Sequence, residues 1–143
     1  MPDNTSTTRA HAGFLAGRHV ATIATIDEDG APRQAVAWYR LESDGRVLLN
    51  SRLGRRWPAN LLRDPRVSIA VTDIADPLRW LGMTGVVDEV VDDLERARDD
   101  IVMLARRYSA DGTVDPETEA TFRGQPRVTF LVRVASVHDH LEG

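Results

Sequence analysis

Cysteine is absent from this 143-residue chain, which excludes disulfide bonds, a thiolate nucleophile and any cysteine-bound metal or iron–sulfur cluster. No apolar run approaches the ~20 residues that a membrane-crossing helix needs. The polar opening over residues 1–9 lacks the apolar stretch of a signal peptide. These two absences set the expectation of a cytoplasmic protein with no membrane partner. Basic residues are in deficit: 18 Lys and Arg stand against 22 Asp and Glu, a net charge of −4 that argues against a surface built to grip nucleic acid. Motifs of protein-borne catalysis are missing as well. With no G-x-S-x-G, H-E-x-x-H, Walker loop or G-x-G-x-x-G, no catalytic residue is assigned, and any reaction would fall to a bound cofactor. The histidines assign no metal site, because His138 and His140 have no third ligand cluster near them in sequence; a solvent-facing or capping role fits them better.

What is present reads as one globular domain over residues 1–143, with residues 1–9 disordered: 42% of residues are hydrophobic and 28% charged. A short helix is expected over 10–17, with Phe14 and Leu15 inward. Residues 20–26 are rich in β-branched side chains and predict a strand that turns at Asp27-Glu28-Asp29-Gly30. The next strand, 32–41, alternates Ala35, Ala37, Tyr39 and Leu41 with Gln34, Val36, Trp38 and Arg40. Further strands are expected over 46–50, 67–72, 78–87 and 127–137, with a short helix over 58–63. Residues 92–108 carry Leu94, Ala97, Ile101, Leu104, Ala105 and Tyr108 at helical spacing, opposite a solvated face of paired charges. Residues 109–125 predict a loop with at most one helical turn, and the whole predicts a mainly β (α+β) fold: a six-stranded antiparallel barrel with a few helices.

The most informative segment lies between the third and fourth strands. Arg52, Arg55, Arg56 and Arg63 surround Gly54 and Pro58 there, in a chain with an acid excess. Guanidinium forks match phosphate oxygens, Gly54 allows close approach of the backbone, and Pro58 suits the first turn of a helix whose free N–H groups attract anions. A solvated basic loop is the plainer alternative. Trp38, Trp57 and Trp80 each stand next to or near an arginine, as the walls of a planar phosphorylated ligand would, although Trp38 and Trp80 also read as core residues.

Taken with the A-T-I-A-T-I-D-E-D-G-A-P hairpin (21–32), the R-x-x-x-x-N-L-x-R-D-P-R-V-S stretch (55–68) and R-W-L-G-M-T-G-V-V (79–87), the chain resembles a known family over nearly its whole length. This is the pyridoxamine-phosphate-oxidase-like split β-barrel family of FMN-binding type. The closest likeness is to its actinobacterial branch of oxidoreductases dependent on the deazaflavin coenzyme F-420. The resemblance implies a homodimer with two cofactors in grooves at the subunit interface, and a hydride passed to a small organic acceptor. It implies phosphate binding by Arg55 and Arg56, with Asn50 and Ser51 at the strand end and Gln34, Val36 and Trp38 lining the ring site. At Trp57 the chain departs from many relatives, which carry lysine there. FMN as cofactor, and a non-catalytic flavin-, deazaflavin- or haem-binding role, are the alternatives. Trp80 and the strand 78–87 are the expected dimer contact, and the loop 109–125 is an expected contributor to the acceptor pocket.

Overall fold

Val20, Thr22, Ile23, Thr25 and Ile26 are β-branched side chains suited to a pleated, half-buried surface, and they form strand β1 (Val20–Ile26). In the computed structural model, which describes residues 7–142, β1 is followed by β2 (Pro32–Ala37), β3 (Arg40–Leu41), β4 (Val47–Arg52), β5 (Arg66–Thr72), β6 (Trp80–Val91) and β7 (Arg127–His140). Helix α1 (Ala12–Leu15) precedes β1, α2 (Arg56–Arg63) links β4 to β5, and α3 (Leu94–Tyr108) and α4 (Pro116–Arg123) separate β6 from β7. The strands form one sheet in the order β2-β1-β5-β6-β7-β4-β3, and neighbours pair antiparallel throughout.

The sheet has seven strands, not the expected six, because the single strand predicted over 32–41 breaks at Trp38-Tyr39. Its first part pairs with β1 at one sheet edge, and its second with β4 at the opposite edge. Three Cα–Cα steps, at most about 11 Å, join the two parts, so the sheet has to curl until its edges meet. That curl makes the split half-barrel. At the crossing, Tyr39 leaves the strand ladder: its N–H meets the Tyr108 hydroxyl (3.4 Å) and its carbonyl accepts from Arg107 Nε (3.0 Å). The buried Tyr39 hydroxyl in turn donates to the carbonyls of Leu15 (2.8 Å) and Gly17 (3.2 Å).

Element ends also differ from expectation. β4 continues two residues through Ser51 and Arg52, and β7 continues three residues past 137, to His140. β6 starts at Trp80 rather than 78 and reaches Val91, because Leu78 sits exposed in the turn after Pro77. α2 begins at Arg56, so Pro58 is its third residue. α4 is a full eight-residue helix, capped by Asp115, which accepts from the Thr118 N–H at 2.9 Å. Of the segment 1–9 expected to be disordered, 1–6 lie outside the described residues. Thr7–Arg9 are helical instead, and Thr8 is buried and donates to the Gly45 carbonyl (3.0 Å).

Two apolar clusters result. The barrel interior packs Ile23, Tyr39, Leu49, Ile69, Met83 and Phe130 among others. A satellite core on the outer face of β4 and β7 packs Leu48 and Leu131 against Ile101, Val102 and Leu104 of α3. β4 is therefore buried on both faces, and Asn50 lies on the same side of it as Leu48, beneath α3. Among the described residues, no helix is long and apolar enough to cross a membrane.

Candidate anion and ring site

The register of β4 on β7 sets Arg52 directly opposite Arg127. Facing residues of an antiparallel pair have Cβ atoms only about 5 Å apart, and like charges placed so are destabilising. Gly54, at φ 100°, then turns the chain so that Arg55 becomes the N-cap residue of α2 beside this pair. Among the described residues, no carboxylate lies within salt-bridge distance of Arg52, Arg55 or Arg127. Arg127 is buried, and burial first, then the charges of Arg55 and Arg52, push its pKa down to about 10. Its bonds go to neutral acceptors: Asn50 Oδ1 at 3.2 Å and Gln125 Oε1 at 3.0 and 2.6 Å. The guanidinium lies 5.1 Å from the centre of the Phe122 ring. Three bonds use three of the five guanidinium N–H donors.

This cationic corner opens on a cavity of about 260 Å3. Val36, Ala37 and Trp38 wall it from the end of β2, Ile101 and Leu104 from α3, and Phe122 from α4. Asn50, Ser51, Arg55, Trp57 and Arg127 complete the lining. Trp38 is 40% exposed, lines the cavity and stacks on Tyr108 with ring centres 5.3 Å apart. The cavity thus pairs a cluster of uncompensated positive charge with flat apolar walls, the chemistry of a planar ring that carries a phosphate.

Of the residues singled out in the sequence, Val36, Trp38, Asn50, Ser51, Arg55 and Trp57 come together here. Gln34 is exposed on the same side of β2 as Val36 and Trp38 but is not part of the lining. Trp57 is more core residue than wall, since it is buried and tilted against Phe130 at 5.9 Å. Pro58 is buried within α2. Trp80 is elsewhere in this chain: it faces His140 across β6 and β7 and stacks on it at 4.2 Å. His140 is eleven positions along β7 from Thr129, the partner of Asn50, or about 35 Å of strand.

The expected basic strip divides. Arg63 is held by the chain itself, donating to the Ile26 carbonyl (2.6 Å) and to Asn60 Oδ1 (2.9 Å). Arg56 lies 3.7 Å from Asp27. Both line, together with Arg55, which borders both spaces, a second groove of about 500 Å3 that Asp27, Glu28 and Asp29 share, so its sign is mixed. Hydrogen bonds from Asn60 and then Arg33 hold the Asp27 carboxyl below its usual range. Sequence reasoning missed Arg127, Phe122, Ile101 and Leu104. The one available signal was an arginine opening the otherwise apolar strand R-V-T-F-L-V after Pro126. In the H-D-H segment, Asp139 pairs with His11 at 2.9 Å, and among the described residues no metal-binding group of three or more side chains forms.

No curated protein sequence matches this chain. Among solved structures, an F-420 reductase is similar at 24% identity with a TM-score of 0.72, over 88% of this chain and 94% of that one. A conserved hypothetical protein of Mycobacterium tuberculosis is 28% identical, with a TM-score of 0.70 over 92% of this chain and 84% of its own. The heme storage protein of Vibrio cholerae has the same fold at 19% identity, with a TM-score of 0.68 and coverages of 93% and 94%. The sequence model described as pyridoxamine 5'-phosphate oxidase matches residues 7–140, and with the split half-barrel this makes the chain a member of the pyridoxamine 5'-phosphate oxidase family.

Proposed function

We propose that this protein is a homodimeric oxidoreductase that binds coenzyme F-420 and transfers a hydride from the reduced deazaflavin to a small organic acceptor. The observation that carries the reading is the pair Arg55 and Arg127 in the lining of the cavity, with Arg52 directly opposite Arg127 on the sheet and no carboxylate partner for any of the three among the described residues. Uncompensated like charges cost stability, and a bound phosphate would offset that cost. Family membership and the likeness in fold to an F-420 reductase agree with it.

The residues present fit such a cofactor. Arg52, Arg55 and Arg127 would hold the phosphate, while Trp38, Val36, Leu104 and Phe122 would flank the ring. When bound, the reduced deazaflavin supplies the hydride. The chain contributes orientation and exclusion of water, through the apolar walls of α3 and α4 and the locked guanidinium of Arg127. The lining offers no carboxylate, histidine or thiol to act as acid or base. At about 260 Å3 the cavity is below the roughly 300–1,000 Å3 of small-molecule sites, so a second copy that completes its wall would give the ring a full pocket.

One observation favours FMN as the alternative cofactor. The basic strip that would follow the polyglutamate tail of F-420 is interrupted by Asp27, Glu28 and Asp29, which leaves a compact phosphate corner. A haem-binding role is less well supported, because no side chain lining the cavity is an iron ligand. Titration with F-420, FMN and haem, followed by tryptophan fluorescence, ranks the three; Trp38 and Trp57 both line the site and report on it. Saturable quenching tightest for F-420 is expected. No saturable binding of F-420, or comparable or tighter binding of FMN, would overturn the F-420 reading, and a stable monomer in sedimentation at micromolar concentration would remove the shared groove.

A further inference from the structure

The satellite core beneath α3 contains polar side chains where apolar ones would pack. Asn50, Asp100 and Thr129 are all buried there, among Leu48, Ile101, Leu104 and Leu131. Their bonds form one directed chain that ends at the anion corner. Asp100, as a carboxylate, only accepts: its Oδ2 accepts from the Thr129 hydroxyl at 2.8 Å and from Arg96 Nε at 3.2 Å. With its O–H directed at Asp100, Thr129 Oγ1 accepts through its lone pair from Asn50 Nδ2 at 2.9 Å. The same Nδ2 donates to the Ala97 carbonyl at 2.8 Å, and Ala97 stands three residues before Asp100 on α3. Both contacts require the Asn50 amide nitrogen to face the helix, so Oδ1 faces Arg127 and accepts from Nη1 at 3.2 Å. A reversed amide would present N–H to N–H and push the guanidinium out of place.

We propose that Asp100 is a positioning residue of the anion site: tied to Thr129, it anchors α3 on the β4–β7 ladder and fixes the direction of the Asn50 amide, which holds Arg127 toward the cavity. This rests on the phosphate reading above. The device is a buried polar network with each of these members satisfied, and such networks are retained where they fix one geometry. The phosphate end of a ligand would sense it most: Asp100, Thr129 and Ala97 do not themselves line the ring cavity, whereas any shift of α3 carrying Ile101 and Leu104 would weaken phosphorylated and phosphate-free ligands alike.

The test compares ligands that share a ring but differ in phosphate: FMN with riboflavin, and F-420 with its phosphate-free deazaflavin chromophore. The measured quantity is the ratio of the two dissociation constants in each pair. In Asp100→Asn and in Thr129→Val, this ratio is expected to fall by roughly tenfold, the effect of misplacing one charge-assisted hydrogen bond. Thr129→Ser keeps the hydroxyl and is expected to retain the wild-type ratio. A role confined to packing would weaken both ligands of a pair together and leave the ratio unchanged in variants that still melt cooperatively; that result overturns the proposal. If wild-type protein itself shows no preference for the phosphorylated ligand, the phosphate reading fails first, which separates the two failures.

Discussion

Replacing Arg52 with alanine should move stability and ligand affinity in opposite directions. Arg52 is exposed, whereas its partner Arg127 is buried and bonded to Asn50 and Gln125, so Arg52 is the side chain that can be removed without disturbing packing. Relief of a directly opposed like-charge pair is worth about 0.2–1 kcal/mol. For a chain of 143 residues, that raises the melting temperature by about 1–4 °C. If Arg52 reaches the phosphate from opposite Arg127, the same change would remove a charge-assisted contact worth about 1.5–3 kcal/mol, a loss of about ten- to 150-fold in affinity. Differential scanning fluorimetry without ligand and a fluorescence titration with F-420 and FMN measure the two quantities on the same sample. Added salt should narrow the stability difference, because screening weakens the repulsion in the wild type. A lower melting temperature with unchanged affinity would refute the reasoning, since it would make Arg52 a stabilising surface residue with no part in binding.

Arg55→Ala and Arg56→Ala should separate, with about tenfold weaker binding of the phosphorylated ligand for Arg55 and less than about twofold for Arg56, which leans toward Asp27 instead; titration of both variants decides it. Gly85 lies at a β6 bulge where an added Cβ would run into the Arg133 carbonyl, so Gly85→Ala should destabilise by about 1–3 kcal/mol in urea unfolding; an unchanged midpoint would count against the packed geometry of that bulge. Acid should weaken the fold in a defined window. Hydrogen bonds from Arg66 hold Asp64, and those from Ser109 and Thr113 hold Asp111, each down to about 2, below the ordinary value of 3.8. A carboxyl whose folded pKa is depressed stabilises above its unfolded value and loses that contribution as pH falls through the folded one, so melting temperature should decline between about pH 4 and pH 2. A flat profile across that window would contradict these partners.

The hairpins were legible because their turn chemistry is local: Asp27-Glu28-Asp29-Gly30 and Glu42-Ser43-Asp44-Gly45 each place glycine where φ is positive, at 90° and 86°. The strand switch was not legible, because the alternation of Ala35, Ala37, Tyr39 and Leu41 runs unbroken through it. Period-two patterning says which face a side chain takes, and nothing about which strand it pairs with. Val36, Trp38 and Arg55 were found at the cavity from residue type and resemblance, but Arg127 was not. Its partner Arg52 is 75 positions away, and only the β4–β7 register brings them opposite. Arg63 looked as available as Arg55, and its use by the Ile26 carbonyl depends on where α2 folds back against β1. Trp80 was chosen for its neighbour Arg79, yet Arg79 is engaged by Asp73 and the Leu141 carbonyl.

Buried polar groups and opposed like charges both break local rules of stability, and here they meet on one face of β4 and β7. The charge pair alone would be removed readily by a single substitution to a neutral residue, so its presence needs a compensating gain. Ligand linkage supplies one of sufficient size. A phosphate-bearing ligand at 100 times its dissociation constant adds about 2.7 kcal/mol to the folded state, more than the roughly 0.2–1 kcal/mol that the opposed arginines cost. On the proposed function, the ligand-free protein would be the weakened state, with the opposed charges placed where the phosphate would bind. The Asn50–Thr129–Asp100 chain fits the same logic, since it spends burial of polar atoms on keeping one of those two charges from swinging away to solvent. Arg127 held in place without a ligand costs the fold something, and on the proposed function holding it there would let an arriving phosphate bind without first ordering the side chain.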